Sequence, residues 1–199
     1  PEMAGYDNPR SRAFYEQALE RVGALPGVRK VALAARLPFS LNFNQQQFHV
    51  PGVETPGGRP ITIQSARVSA EYFEALGVPI LQGRGFTAAD TEQSPQVVVV
   101  NETMARRFWT SSEGALGRRI HLRGPDGPAL EVVGVSADYR VRSIGEGPTP
   151  YVHFAHSQRF NSGLVLMART DGDAQRLLAE MRRALLELEP NLVFLDNQT

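Results

Sequence analysis

The sequence contains no cysteine among its 199 residues. This absence excludes disulfide bonds, a thiolate nucleophile and zinc sites with cysteine ligands. It does not indicate a compartment, because a chain without cysteine is compatible with both oxidising and reducing surroundings.

Lysine is nearly absent as well. The 21 basic residues are twenty arginines and Lys30. A Walker-type phosphate loop needs a lysine directly after a glycine, whereas Lys30 follows Arg29. Acidic residues also number 21, so the formal net charge is zero and no global field favours nucleic acid or anionic lipid.

The sequence also lacks long apolar runs and a recognisable signal peptide. No stretch approaches the roughly eighteen consecutive apolar residues that indicate a membrane-spanning helix. The chain begins "PEMAGYDNPR", without an initiator methionine, and we expect it to be a domain cut from a longer protein. Its 42% hydrophobic and 21% charged residues are typical of one large globular domain or two small ones.

Helical and strand patterns alternate along the chain and predict an α+β fold. Residues 9–37 have the order helix, Pro-Gly break, strand, and residues 173–195 repeat that order after a strand at 164–169. This similarity predicts two βαβ-type units that flank a different, inserted middle. Residues 40–58 are polar with interleaved phenylalanines and then rich in Gly and Pro, and the pattern predicts a loop for most of them.

The stretch Gly83-Arg84-Gly85, which follows an apolar run, raises the question of a nucleotide-binding loop. A dinucleotide fingerprint needs three glycines between a strand and a helix, and here the third glycine is missing and "FTAAD" follows. We therefore predict a structural turn in which glycine supplies a permissive backbone. The strand–helix junction "VVVVNETM" contains no glycine, and Asn101 is predicted to be an ordinary helix cap.

Candidate catalytic and metal-binding residues do not form a motif. The four histidines, His49, His121, His153 and His156, show no His-Glu-x-x-His spacing. His153 and His156 are predicted to face opposite sides of a strand, which disfavours a shared metal. Asp90, Glu92 and Asp138 could pair as carboxylates, but acids in loops are usually solvated or capping groups.

Three phenylalanines in the polar Asn/Gln-rich segment are the candidate partner contacts: Phe39, Phe43 and Phe48. Aromatic residues are enriched at protein interfaces, so these side chains could contact a partner. The alternative, which we favour, is that they anchor the segment onto the core, because most aromatic side chains are buried.

Four segments occur in an order that is specific to one family. They are "ARVSAEYFEALGVPILQGRGFTAAD", "VVVVNETMARRFWTSSEGALGRRIHL", "EVVGVSADYRVRSIGEGPTPYVHFAH" and "LVLMARTDGDAQRLLAEMRRALLELEPNLVFLD". Together they resemble the periplasmic core domain of MacB/FtsX-like ABC transporter permeases, of the orphan-permease type. The resemblance covers nearly the whole chain, although none of the four segments is a catalytic motif.

The resemblance implies a domain with two lobes on the periplasmic face of the bacterial inner membrane. Residues 1–84 and 160–199 would form a porter-like lobe, and residues 85–159 a smaller, inserted mixed α/β lobe. It implies no catalytic residues, cofactor or metal. It also implies that both chain ends lie near each other on one face, because both would continue into membrane helices.

The implied function is mechanical. ATP hydrolysis by a cytoplasmic ATPase would be transmitted through the protein's own transmembrane helices to this domain, for export or mechanical signalling. The implied partners are a periplasmic adaptor or substrate protein and, in the full-length protein, a second copy. One alternative is a small-molecule or peptide binding module that uses the cleft between the lobes. Another is an enzyme, which would require Asp90, Asp138 and His153 to meet in one pocket.

Overall fold

The structure is a computed structural model that describes residues 8–39, 44–141, 145 and 147–194. Within these residues it contains helices and strands in a mixed order, which confirms the predicted α+β class. The helices are α1 (Asn8–Gly23), α2 (Tyr72–Leu76), α3 (Glu102–Trp109), α4 (Ser112–Ala115) and α5 (Ala174–Leu188). The strands are β1 (Val28–Ala34), β2 (Gln45–His49), β3 (Ile61–Val68), β4 (Ile80–Gly83), β5 (Val97–Asn101), β6 (Arg119–Leu122), β7 (Ala129–Ser136), β8 (Tyr151–Ala155) and β9 (Val165–Thr170).

Six of the strands form a closed ring. Their hydrogen-bonded order is β2-β6-β7-β5-β8-β3, and β2 pairs with β3 as well as with β6. The interior is filled by apolar side chains from all six strands, including Phe48, Val98, Ile120, Val132 and Phe154. Closing a sheet on itself removes its exposed edges, and here the short strand β2 makes the closure.

The strand directions give the ring two different rims. β3 and β8 are parallel, β5 and β7 are parallel, and the other neighbours in the ring are antiparallel. β3, β6 and β8 therefore end at one rim, where β2, β5 and β7 begin. At the opposite rim β5 leads directly into α3, whose Met104 and Ala105 are buried against the ring interior.

A second unit, the arm, extends the sheet beyond the ring. It consists of β1, β9, α1 and α5: β1 pairs antiparallel with β3 at Ala34 and with β9 along its length. Both helices carry apolar residues at helical spacing, so both can pack on one face of this two-strand extension. The buried cluster between helices and strands is Ala18, Val22, Val31, Leu177, Met181 and Leu185.

The other face of the sheet is covered where the arm meets the ring. α2 inserts Tyr72 and Phe73 against Ala32 and Val68 of the sheet, and Val99 and Tyr151 of the ring belong to the same cluster. Gly77 ends α2 in the left-handed conformation, and its amide donates to the carbonyl groups of Glu74 and Phe73. The joint between arm and ring is therefore an apolar contact and not a flexible linker.

Three local features differ from the sequence-based expectations. The polar segment "QQQFH" forms β2, in which Phe48 is buried in the ring interior and Gln45 and Gln47 are exposed. The serine before "AEYFEALG" predicts a cap for α2, but Ser69 instead accepts a hydrogen bond from the Leu33 amide at 3.0 Å. Residues 192–194, expected to start a last strand, have no regular structure.

The sheet runs across the boundaries expected between two lobes. β3, from the predicted porter-like segment, pairs with β8, from the predicted inserted segment, and β4 pairs with β7. In the described residues α1–β1 and β9–α5 form matching halves, without a strand before α1 or after α5. The division at 1–84, 85–159 and 160–199 therefore stays a prediction, as do the two complete βαβ-type units.

Among the described residues, none of the helices is both long enough and apolar enough to cross a lipid bilayer.

Candidate functional site

The Gly83-Arg84-Gly85 stretch is a packed turn between two strands. Gly83 ends β4 with a φ of +70° and faces Gly134 of β7. The Arg84 guanidinium binds the Asp90 carboxylate with two hydrogen bonds of 2.8 and 2.9 Å. The Thr87 amide donates to the same carboxylate at 2.7 Å. The turn that follows β4 thus holds a carboxylate of its own chain in place of a phosphate.

Asp90 is ionised within this turn. Burial of the carboxyl group would raise the pKa of Asp90, but the Arg84 guanidinium and the Thr87 amide together outweigh burial and hold that pKa below its usual value. The carboxylate accepts from four donor groups, two of Arg84 and two of Thr87, and is therefore a structural element of the turn. It does not have the raised pKa that a general acid requires.

Asn101 connects four elements of the ring. Its side-chain oxygen accepts from the Met104 amide at 3.1 Å, as a helix cap does, and also from the Tyr151 amide at 2.8 Å. Its side-chain nitrogen donates to Asp138 at 2.6 Å and to the Thr149 carbonyl at 2.8 Å. The predicted cap is confirmed, and the residue also ties β5 to β8 and to the segment after β7.

We expect Asn101→Ala to lower the free energy of unfolding by about 2 kcal/mol, because it removes a helix cap and leaves the buried Tyr151 amide without its acceptor. Chemical denaturation of both proteins measures the difference. Ser111→Ala, which removes only the cap of the four-residue helix α4, is the matched control and should cost about 1 kcal/mol. Equal losses for the two variants would contradict the connecting role.

A buried chain of hydrogen bonds joins α2 to the ring, beside the place where the arm meets it. His153, whose side chain is fully buried, has Nδ1 3.3 Å from the Val99 carbonyl and Nε2 2.8 Å from the Tyr139 hydroxyl. A carbonyl can only accept, so Nδ1 carries the proton and Nε2 accepts from Tyr139. Tyr139 in turn accepts from the Tyr72 hydroxyl of α2 at 3.1 Å. The neutral form of His153 satisfies every member of this chain.

Burial sets the titration of this chain of groups. It lowers the pKa of His153 to about 3 and raises the pKa of Tyr72 to about 12. Burial also raises the pKa of Tyr139, helped by the neighbouring tyrosines. All three groups are thus neutral near pH 7, and the network is a structural joint without a charged nucleophile or base.

The structure does not assemble the carboxylates and histidine that an enzyme would need. Asp138 binds Asn101 and Thr103, Asp90 binds Arg84, and His153 binds Tyr139 and Val99. His153 lies in β8 and His156 follows the end of that strand, so their placement on opposite faces stays a prediction. Among the residues that the structure describes, no three His, Asp or Glu side chains are placed to hold a metal ion.

The three candidate phenylalanines have different surroundings. Phe48 has no exposed surface and stacks on Phe154 inside the ring, with 6.1 Å between ring centres, as the anchoring alternative requires. Phe39 is 53% exposed, and its backbone has a positive φ of 66°. Phe43 lies outside the described residues. Only Phe39 of the three is thus placed in the structure as an available contact, and its role stays a prediction.

Two contacts define how the arm is held. Arg10, at the start of α1, lies 3.6 Å from the carboxylate of Glu189, just beyond the end of α5. Arg12 forms an ion pair with Glu92 of the loop before β5, and its guanidinium lies over the Phe160 ring at 4.3 Å. The first contact brings the two described ends of the chain together, and the second joins α1 to the ring.

The chain is similar to one group of known proteins. The family profile described as "MacB-like periplasmic core domain" matches residues 3–184. No curated protein matches the sequence significantly.

Three solved structures share the fold at low sequence identity. The periplasmic region of MacB from Actinobacillus actinomycetemcomitans matches with a TM-score of 0.60 and 17% identity, covering 87% of this chain and 73% of that one. The extracellular domain of the noncanonic ABC-type transporter YknZ from Gram-positive bacteria matches with a TM-score of 0.58 and 16% identity, over 88% and 83% of the two chains. A domain of a putative permease protein from Porphyromonas gingivalis matches with a TM-score of 0.52 and 13% identity, over 84% and 75%.

Proposed function

The chain belongs to the family of MacB-like periplasmic core domains, and from that premise we propose that it is a non-catalytic domain that couples cytoplasmic ATP hydrolysis to export or mechanical signalling. The family is one of transporter permease domains and not a catalytic family. In this proposal, membrane helices of the full-length permease move the arm, the arm changes its packing on the ring, and the ring or Phe39 acts on a periplasmic adaptor or substrate protein.

The contact between Arg10 and Glu189 is the observation that carries the proposal. A domain that receives movement from two membrane helices needs both of its connections on the same side. The 3.6 Å approach of these side chains places the start of α1 and the end of α5 together. Because both helices pack on the same cluster through Val22 and Leu185, a displacement of either connection is passed to the arm as a whole.

Two polar contacts join the arm to the ring in addition to the apolar cluster around α2. Arg12 and Glu92 form an exposed ion pair, and exposed pairs contribute about 0–1 kcal/mol. The Tyr15 hydroxyl donates to the Ser162 carbonyl at 2.6 Å, next to the connection from ring to arm. These polar contacts fix the orientation of the arm, which also packs on the ring through the apolar cluster around α2, whereas the interiors of arm and ring are separate buried clusters.

The binding-module alternative would place a ligand in a cleft between the two predicted lobes. A shallow concavity lies on the outer face of α5 instead, lined by Ala179, Arg182, Arg183, Leu186 and Glu187. The joint itself is filled by the cluster around α2. We therefore retain the mechanical function as the conclusion.

Distance measurements in the full-length permease, together with its ATPase in lipid nanodiscs, test the proposal. Spin labels on Ala13→Cys and Gln93→Cys report the separation of arm and ring and leave the Arg12–Glu92 pair intact. Both positions are exposed, and the domain has no cysteine of its own to compete for label. We expect the distance distribution between these labels to shift when ATP hydrolysis is arrested with vanadate.

The matched control is a label pair within the arm, on Glu20→Cys and Arg183→Cys, both exposed. Its distance should not change, because α1 and α5 share one buried cluster. An unchanged distance for both pairs, in protein that hydrolyses ATP, would contradict a change of packing between arm and ring. A change in the distance between the two arm labels alone would contradict the proposal that the arm moves as one rigid unit.

A further inference from the structure

Three arginines lie at the rim of the ring where β3, β6 and β8 end. Arg67 is the penultimate residue of β3, Arg123 directly follows β6, and Arg159 lies four residues after β8. Arg67 lies on the same face of β3 as Ser65 and Ile63, because residues two apart in a strand share a face. Ile63 belongs to the ring interior, so Arg67 faces the open end of the ring at this rim. These three residues form what we call the arginine rim.

The arginines of the rim are close enough for their charges to interact. Burial lowers the pKa of Arg159, and the positive charges of Arg123 and Arg67 lower it further. Burial and the charge of Arg36 lower the pKa of Arg67 in the same way. Three like charges at one mouth repel one another, so the arrangement is unfavourable unless an anion lies between them.

Among the described residues, none of the carboxylates forms an ion pair with the arginine rim. Within the described ranges, Arg67, Arg123 and Arg159 form no ion pair, and the buried Nε of Arg67 has no hydrogen-bond partner. Glu92 pairs with Arg12 and Asp90 with Arg84, whereas the exposed Glu71, whose charge reaches His156 beside the rim, forms no ion pair among the described residues. Asp126, in the turn after β6, is exposed and likewise forms no ion pair.

The aromatic residues next to the arginine rim would also fit a bound ligand. The Arg159 guanidinium lies over the Phe154 ring at 5.0 Å, which fixes its orientation, and Phe154 stacks on Phe48 below. His156 lies beside the rim with a buried Nε2 that has no partner among the described residues. The site therefore offers oriented donors above an apolar floor, and two of its buried nitrogen atoms are unused.

We propose that the arginine rim is a binding site for a phosphate group, either of free phosphate or of a phospholipid headgroup. A phosphate dianion has enough oxygen atoms to accept from several guanidinium groups at once, and guanidinium forks match its geometry. A single carboxylate has only two oxygens and one charge for three arginines. This proposal does not depend on the proposed mechanical function, and phosphate binding can be measured without transport activity.

Titration of the 199-residue chain with inorganic phosphate at constant ionic strength, followed through the NMR signals of the arginine Nε–H groups, tests the proposal. We expect saturable shifts for Arg67 and Arg159. Arg67→Gln and Arg159→Gln should each weaken binding about tenfold, since each removes a charge-assisted interaction. Arg183→Gln, on the exposed face of α5, is the matched control and should leave binding unchanged.

Phosphatidic acid in vesicles and succinate in solution show which kind of anion the arginine rim binds. Binding to vesicles that contain phosphatidic acid, lost in Arg67→Gln, would assign the phosphate to a lipid, whereas binding of inorganic phosphate alone would assign it to a soluble ligand. Equal affinity for succinate would overturn the choice of phosphate over carboxylate. Linear, non-saturating shifts that are the same in all variants would overturn the site. Circular dichroism confirms folding, and without phosphate Arg67→Gln should melt no lower than the unsubstituted chain.

Discussion

Gly134→Ala is expected to lower the free energy of unfolding by about 3 kcal/mol or more, the range in which a small domain loses most of its stability. A Cβ atom at Gly134 would lie 2.0 Å from the backbone oxygen of Arg84, a distance that no carbon–oxygen contact tolerates. The obstacle is a backbone atom, so no side-chain rotation relieves it. β4 and β7 would have to separate at this point.

The separation would remove more than one contact. The Arg84 amide donates to the Val133 carbonyl at 2.9 Å, and Gly83 faces Gly134 across the same pair of strands. Moving Arg84 also pulls its guanidinium away from Asp90, whose carboxylate orders the turn that leads to β5. The predicted loss therefore includes strand pairing, an ion pair and the order of the turn.

Urea denaturation monitored by the fluorescence of the single tryptophan, Trp109, measures this effect. Gly124→Ala is the matched control: it lies in the β6–β7 turn, where a Cβ would meet nothing within 4 Å, and its stability should stay within about 0.5 kcal/mol of the original. If Gly134→Ala and Gly124→Ala unfold at the same urea concentration, the close approach of β4 and β7 is not the reason for glycine at position 134.

The sequence predicts local structure well where one residue type has one physical role. Gly77 ends α2, Asn101 caps α3 and Asp173 caps α5, because each supplies a backbone conformation or an acceptor that the helix end needs. The amphipathic pattern of α5 identifies Leu177, Met181 and Leu185 as buried for the same reason. These roles depend only on neighbours within a few residues.

The closure of the ring is not predictable in this way. β2 contains three glutamines in a row and has one strongly apolar position, Phe48, so its pattern is that of a loop. It becomes a strand because β3 and β6 offer it backbone partners on both sides. Tertiary context overrides local propensity here, and a strand of this kind leaves little signal in a single sequence.

The candidate sites could not be predicted from the sequence for the same reason, because each is formed by residues that are far apart in the chain. Arg67, Arg123 and Arg159 are separated by 56 and 36 positions in the chain, and only the strand directions of the ring bring them to one rim. Tyr72, Tyr139 and His153 likewise come from three separate segments. A signal that could have found the rim is the position of each arginine at or after the end of a strand.

Acidification is expected to weaken the domain through His153, by about 3 kcal/mol between pH 7 and pH 4. The pKa of His153 is about 3 in the folded protein, against an ordinary value of 6.5 in the unfolded chain. The folded state therefore binds fewer protons, so stability is fully present above pH 6.5 and is lost as the pH falls toward 3. Each unit of this interval contributes about 1.4 kcal/mol.

His153→Gln isolates this contribution, because glutamine can keep hydrogen bonds in the network but does not titrate. The variant should be less stable at pH 7 and should lose less stability between pH 7 and pH 4 than the unsubstituted chain. His156, whose pKa burial lowers to about 4, adds a change of the same sign, so the double variant with His156→Gln should be flatter still. His49→Gln, at the end of β2, is the control for removing a histidine elsewhere.

The measurement is the free energy of unfolding in urea at each pH. Parallel curves for His153→Gln and the unsubstituted chain would show that His153 is not the cause of the acid sensitivity.

The expected difference in acid sensitivity has a structural consequence for the proposed function. Protonation of Nε2 would leave the Tyr139 hydroxyl without its acceptor, and Tyr139 is the link between His153 of the ring and Tyr72 of α2. Acid should therefore loosen the contact of α2 with the ring before it disrupts the interiors of arm and ring, because the described residues of those two clusters are hydrophobic.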